Sequence, residues 1–316
     1  MDEPAFTLSH TRIAIIGLGL MGGSLALALN GRCRALVGVD PDDSTRALAR
    51  AREVTCFPEL GAALDTDLLI LATPVRSILS LLASLSDSHF VIRHAKRTFV
   101  IDLGSTKGLI TSAMQTLPPH FDPLGGHPMC GKEVSGFAHA DPELFRDKTF
   151  VLTPLPRTSP AALTLALELV AALGAQPLLL APEQHDQLAA TSSHLPYLAA
   201  TALMQAAQSL NDDLLWAMTA SGFRDTSRLA ASDLTMMIDI LLTNRPAILN
   251  SLTRYRTQLD SLFALIESSD PATLRAALAP AQAKRSALFP SPNGRHVLRS
   301  KAEWGGVGGE GEILDK

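Results

Sequence analysis

Three short segments set ionisable and hydroxyl side chains among apolar or glycine-rich neighbours: Asp102-Leu-Gly-Ser-Thr-Lys107, Gly125-Gly-His-Pro-Met-Cys-Gly-Lys-Glu133 and Ser192-Ser-His-Leu-Pro196. Two of these segments lie just past strand ends, where an open α/β sheet binds its ligands, so Ser105 and His127 can reach a cofactor bound there. Taken alone, His127 reads equally well as a structural histidine, because sequence shows it no partner. Lys107 is open to two readings, an anion-binding group or a surface lysine at a helix start.

A fourth segment, Arg12-Ile-Ala-Ile-Ile-Gly17-Leu-Gly19-Leu-Met-Gly22, places G-x-G-x-x-G between an apolar strand and a helix. In that context the glycines mark a dinucleotide site: Gly17 permits the tight turn, Gly19 lets backbone approach a pyrophosphate, and Gly22 allows close helix packing. Leu20 and Met21 in the same turn, Thr73 and Pro74 after the strand at 67–72, and Ser105 complete the expected cofactor contacts. Asp40 follows the second strand at the spacing where a carboxylate meets the adenosine ribose, and with Asp42 and Asp43 it repels a 2′-phosphate. NAD rather than NADP is expected, with Arg46 a helical turn too far on. The alternative for Asp40 is a helix cap or turn before Pro41.

The elements that must position these residues follow from hydrophobic periodicity. Apolar runs at 13–16, 35–39, 67–72, 98–102, 150–153 and 177–180 read as buried strands, and 21–30, 44–52 and 77–85 as crossover helices. This predicts a Rossmann-type, doubly wound, mostly parallel α/β sheet over 1–181. From Pro182 the strand signals stop, and segments 182–208, 211–220, 234–243, 247–266 and 271–288 predict an all-helical domain over 182–289. Pro196 should distort its helix beside His194, since it removes a hydrogen bond and crowds the carbonyl of Ser192. Residues 290–316, rich in Pro, Gly and charge, read as a flexible tail.

Composition limits the partners. The 316-residue chain is 47% hydrophobic and 18% charged, with net charge −4. It lacks the basic runs that nucleic acid requires. The acidic start Met1-Asp-Glu-Pro is unlike a signal peptide, and the most apolar stretch, 163–181, is broken by Glu168, Gly174, Gln176 and Pro177. No membrane association is expected. Three cysteines without metal or disulfide spacing suggest a reducing cytoplasm and no metal site.

Five segments together resemble the prephenate and arogenate dehydrogenases: Gly17-Leu-Gly-Leu-Met-Gly-Gly-Ser, Asp102-Leu-Gly-Ser-Thr-Lys, His127-Pro-Met-Cys-Gly-Lys-Glu, Ser193-His-Leu-Pro and Gly222-Phe-Arg-Asp-Thr-Ser-Arg228. They occur in the family's order across residues 12–288. The resemblance implies NAD-dependent oxidative decarboxylation of prephenate in tyrosine biosynthesis, or of arogenate, in a homodimer with interlocked helical domains and a pocket between the domains. It implies that His127 accepts the C4 hydroxyl proton, that Ser105 orients it or the hydroxyl, and that His194 lines the pocket. Arg228 would clamp the ring carboxylate, for which a guanidinium fork is well shaped. Arg224, one turn earlier, would add a second cation for a dianion if that stretch is helical. Lys132 and Glu133 would lie near the pocket, although Lys132 departs from the small residue of several relatives.

Two more distant readings are weaker. A β-hydroxyacid dehydrogenase usually depends on a lysine in its helical domain, where this chain has only Lys284 before the tail. A non-catalytic NAD-binding sensor would have no need for His127, Ser105 and Arg228 together.

Overall fold

The computed structural model describes residues 7–63, 66–86, 97–132 and 134–290. Glu133 and the greater part of the expected tail, residues 291–316, lie outside the described residues. The chain forms two compact units, one up to Arg254 and one from Tyr255 onward.

The first unit opens with alternating strands and helices: β1 (Arg12–Ile16), α1 (Leu20–Leu29), β2 (Ala35–Val39), α2 (Asp43–Ala51), β3 (Cys56–Phe57), β4 (Leu68–Leu71), α3 (Val75–Ser86), β5 (Thr98–Asp102), α4 (Gly108–Gln115), β6 (Phe121–Pro128), β7 (Thr149–Pro154), α5 (Pro160–Ala172) and β8 (Gln176–Leu179). The strands form one sheet in the order β3-β2-β1-β4-β5-β6-β7-β8. Every pairing is parallel except β6 with β7. Strand β1 shows why both faces need helices. Its side chains alternate, so Ile13 and Ile15 join Leu25, Leu29, Ala166 and Leu169 in one core, while Ala14 and Ile16 join Ile78, Leu82 and Met114 in another.

Sequence periodicity did not reveal β6, which holds His127. Pro123 and Pro128 lack donors and Gly125 and Gly126 are poor strand formers, so the segment reads as loop. The structure requires those glycines for close approach. A Cβ at Gly125 would come within 1.9 Å of Thr153 Oγ1, and one at Gly126 within 2.6 Å of the Asp102 carbonyl oxygen.

Beyond β8 come α6 (Pro182–Ala189), a π-helical turn (Ala190–His194), α7 (Leu195–Gln208), α8 (Leu214–Met218), α9 (Ser221–Ser227), a 3₁₀ turn (Arg228–Ala231) and α10 (Leu234–Thr243). The distortion expected beside His194 is therefore a widened turn ahead of Pro196, a feature common at functional sites. Ala190, Tyr197, Met237, Ile240 and Ile248 form a small core. Polar ties join these helices to the sheet domain: Asp239 accepts the Arg76 N–H in the first turn of α3 at 3.1 Å, and Thr106 and Thr243 share a hydroxyl bond at 2.9 Å.

Helix α11 spans Arg245–Ser268 and α12 spans Pro271–Leu288. In the second unit Asp270 caps α12, accepting the Ala272 and Thr273 N–H groups at 3.2 Å each, with Pro271 where its missing donor costs nothing. Among the described residues no helix is long and apolar enough to cross a membrane.

Candidate active site

The glycine turn lies between β1 and α1, at the point where the sheet order reverses, which is where open α/β sheets bind ligands. Gly17 has φ +93°, and a Cβ on Gly22 would fall 1.9 Å from the Gly17 carbonyl oxygen. Gly19 faces open space, with nothing within 4 Å of its Cβ position. Thr73 Oγ1, beside the turn, is buried with no hydrogen-bond partner among the described residues. A donor left waiting and an open glycine fit a phosphate-bearing dinucleotide.

Asp40 Oδ2 accepts the Leu18 N–H at 2.8 Å, so this carboxylate holds the glycine turn. The cap of α2 is Asp42 instead, which accepts the Thr45 N–H at 2.7 Å; the Ser44 hydroxyl and that N–H hold its carboxyl down to about 2. Arg46 is buried, donating to the Asp40 carbonyl at 2.6 Å and pairing with Asp43. Its guanidinium is thus committed to its own helix and the strand end.

His127 is joined to a chain that no sequence spacing announced. Its Nδ1 lies 2.8 Å from His185 Nε2, and His185 Nδ1 lies 2.8 Å from Asp186 Oδ1. Asp186 also accepts the N–H groups of Lys107 at 2.7 Å and Gly108 at 2.8 Å. An ionised carboxylate only accepts, so His185 Nδ1 carries the hydrogen and donates it. In the neutral form of that ring Nε2 is bare and accepts from His127 Nδ1–H. His127 Nε2 is left with a free lone pair.

Electrostatics keeps that lone pair available. Burial, then His185, Lys107 and His194, holds His127 well below the usual imidazole range. Burial raises Asp186, but the His185 hydrogen bond and the Lys107 and Gly108 N–H groups together outweigh it and keep the carboxyl low. His194, at 1% exposure, is pushed down to about 4, chiefly by burial. Asn244 Nδ2 donates to the Asp186 carbonyl at 2.8 Å and lies 3.3 Å from His194 Nδ1. An amide nitrogen is a donor, so His194 Nδ1 accepts and its hydrogen sits on Nε2.

Lys107 corrects the surface reading, for it is fully buried, paired with Asp102 and donating to the Gly126 carbonyl at 2.6 Å. Ser105 lies partly buried in the turn between β5 and α4. Lys132 is exposed and paired with Asp141 at 3.1 Å. Arg224 and Arg228 are exposed, on α9 and at the following 3₁₀ turn, two elements that lie against α7. The helix that Arg224 needed is present.

His185, Asp186 and Asn244 escaped sequence reasoning. The signal available was an adjacent His-Asp pair inside an Ala/Leu-rich helix, but its partner is 58 residues away.

Two family models match consecutive stretches: the nucleotide-binding domain of prephenate dehydrogenase at residues 24–179, and its dimerization domain at residues 181–280. The prephenate dehydrogenase of Bacillus subtilis (strain 168) is 32% identical over 272 residues, covering 83% of this chain and 72% of that protein. The solved prephenate dehydrogenase from A. aeolicus, in complex with hydroxyphenyl propionate and NAD+, superposes with TM-score 0.81 at 27% identity, covering 90% of this chain and 100% of that one. Synechocystis arogenate dehydrogenase gives TM-score 0.75 at 31% identity, covering 88% and 100%.

Proposed function

We propose that this chain, which belongs to the prephenate dehydrogenase family, uses NAD+ to convert prephenate to 4-hydroxyphenylpyruvate and carbon dioxide. The observation that carries the reading is the His127–His185–Asp186 chain, which engages His127 at Nδ1 and leaves Nε2 to act as the base. Bound NAD+ supplies the hydride acceptor for C4. His127 Nε2 takes the C4 hydroxyl proton, and the imidazolium that results is stabilised through His185 by Asp186. The carbonyl formed at C4 is conjugated with the carbon bearing the ring carboxylate, so it accepts the electrons released as carbon dioxide leaves. The ring becomes aromatic and the proton returns to the phenol oxygen.

In this reading His194, neutral with hydrogen on Nε2, is a donor to substrate oxygen. Ser105 orients the hydroxyl or His127. Arg228 clamps the ring carboxylate with Arg224 as second cation, supported by the Gly222–Arg228 segment. Lys132 is given the rim rather than the pocket, since its charge is already paired.

Residues 1–181 are taken as the nucleotide domain and 182–289 as the substrate and dimer domain, supported by the matched stretches 24–179 and 181–280. The active form is a homodimer. Exposed apolar residues on the later helices, among them Leu234, Leu242, Phe263 and Ile266, support it. Three free cysteines fit a reducing cytoplasm.

Arogenate is the second reading, favoured by the likeness to the Synechocystis enzyme. Turnover of prephenate and arogenate measured side by side, with NADH absorbance as readout, tests the choice. A higher kcat/KM for arogenate overturns the prephenate assignment, and no turnover of either substrate overturns the enzyme reading.

A further inference from the structure

We propose that Lys107 is the positioning residue of the His127 base, tying the strand that carries the imidazole to the carboxylate that fixes its tautomer. The inference rests on His127 being the base. Lys107 Nζ donates to the Gly126 carbonyl at 2.6 Å and to Asp102, while Asp102 Oδ1 accepts the Gly126 N–H at 3.1 Å. Gly126, the residue immediately before His127, is thereby held at both its N–H and its carbonyl. The main-chain N–H of the same Lys107 reaches Asp186 Oδ1 at 2.7 Å, the oxygen that also receives His185 Nδ1–H. One residue fixes the backbone of the base and the far end of its hydrogen-bond chain.

A buried lysine is an expensive way to fill space, and an apolar side chain of similar length would do so without desolvating a charge. The cation therefore needs a reason beyond packing. The ionisable groups facing His127 are His185 and Asp186 from α6, His194 from the π turn, and Lys107 with Asp102 from the β5–α4 turn. Within this set Lys107 opposes a second positive charge on the imidazole and keeps Nε2 free to accept, while Asp186 acts through His185 in the other direction. Lys107 thus sets where the base sits and, after burial and His185, adds to what holds its pKa low.

The test uses the full chain carrying Lys107→Met, with Lys107→Met/Asp102→Asn as a companion that leaves no stranded buried charge and folds if the single variant does not. In both, the kcat plateau falls about 10–100-fold, the cost of loosening a positioned group. The NAD+ Kd stays within about threefold, since the glycine turn is untouched. Removing the cation raises the His127 pKa, so in Lys107→Met the acid limb of kcat/KM and the 15N-histidine NMR titration of His127 both move to higher pH. A merely structural pair predicts that the folded double variant regains the wild-type plateau; that result, or an unmoved His127 titration in Lys107→Met, overturns the proposal. His127→Ala run in parallel separates the two ideas. Near-normal turnover there removes the base assignment, while the NMR titration still reports whether Lys107 controls that imidazole.

Discussion

His127 Nδ1 and His185 Nε2 stand 2.8 Å apart with their rings at 67°, an edge-on contact between strand β6 and helix α6. The contact determines which nitrogen of His127 can act. Asp186 makes His185 a donor at Nδ1; the neutral form of that ring accepts at Nε2, which makes His127 a donor at Nδ1 and a base at Nε2. A buried carboxylate plays the same part in hydrolytic triads, holding the tautomer without itself taking the proton. Here the hold is transmitted through one additional imidazole.

His127→Ala should lower kcat by about 10²–10⁴-fold, the range for losing a general base, with NAD+ affinity nearly intact. His185→Leu should cost less, because the base remains while its tautomer is no longer fixed. Steady-state rates and NAD+ titrations on the folded variants check both. A His185→Leu enzyme with wild-type kcat would mean that the edge-on contact has no part in turnover.

The contrast between what sequence revealed and what it hid has a physical basis. Helix α10, at 234–243, and α12, at 271–288, were legible to the residue because Asp233 and Asp270 cap them and apolar periodicity fills them. Strand β6 was illegible because its glycines and prolines answer to neighbours, Thr153 and the Asp102 carbonyl, that only the folded sheet supplies. For the same reason His127 stood out by motif while His185 did not. Lys107 gave no sign of burial, since its partner Asp102 is five residues away across a strand end and its second acceptor is a backbone carbonyl of another strand.

Cofactor choice should respond to Asp40. Its Oδ2 supports the Leu18 N–H, so Asp40→Asn, which keeps an acceptor and loses the charge, is a gentler change than Asp40→Ser. The NADP+/NAD+ ratio of kcat/KM should rise by about tenfold or more in Asp40→Asn as repulsion of the 2′-phosphate is relieved. Asp40→Ser should relax the preference too, with a larger loss of NAD+ affinity. Equal use of both cofactors by the wild type would remove the ribose assignment, since Arg46 is already spent on Asp40 and Asp43.

Stability should fall on mild acidification because of His194. Its folded pKa is about 4, below the ordinary value of 6.5. Below that ordinary value the unfolded chain takes up a proton that the folded chain refuses. The stabilising contribution is therefore fully present above 6.5 and is lost as pH falls toward 4. Between about pH 7 and about pH 4.5 the loss from this residue is on the order of 2–3 kcal/mol. His127, also held low, acts in the same direction. Urea unfolding at the two pH values should show the drop, and His194→Gln should narrow the gap while lowering stability at neutral pH. An unchanged gap in that variant would assign the acid sensitivity elsewhere.

Arg228 should carry the ring carboxylate. It terminates the Gly222-Phe-Arg-Asp-Thr-Ser-Arg segment at the end of α9, and the reaction needs that carboxylate held as an anion until it departs. Removing one member of a desolvated charge pair costs about 2–5 kcal/mol, so Arg228→Ala should weaken substrate binding by one to several orders of magnitude while NAD+ affinity barely moves. Arg228→Lys should recover part of the loss, because an ammonium keeps the charge without the two parallel hydrogen bonds of a guanidinium. The deciding comparison employs a substrate analogue lacking the ring carboxylate, which wild type and Arg228→Ala should bind alike. If Arg228→Ala still prefers the carboxylate-bearing ligand as strongly as wild type does, the clamp is elsewhere. Arg224, one helical turn earlier and equally exposed, is then the residue to replace next.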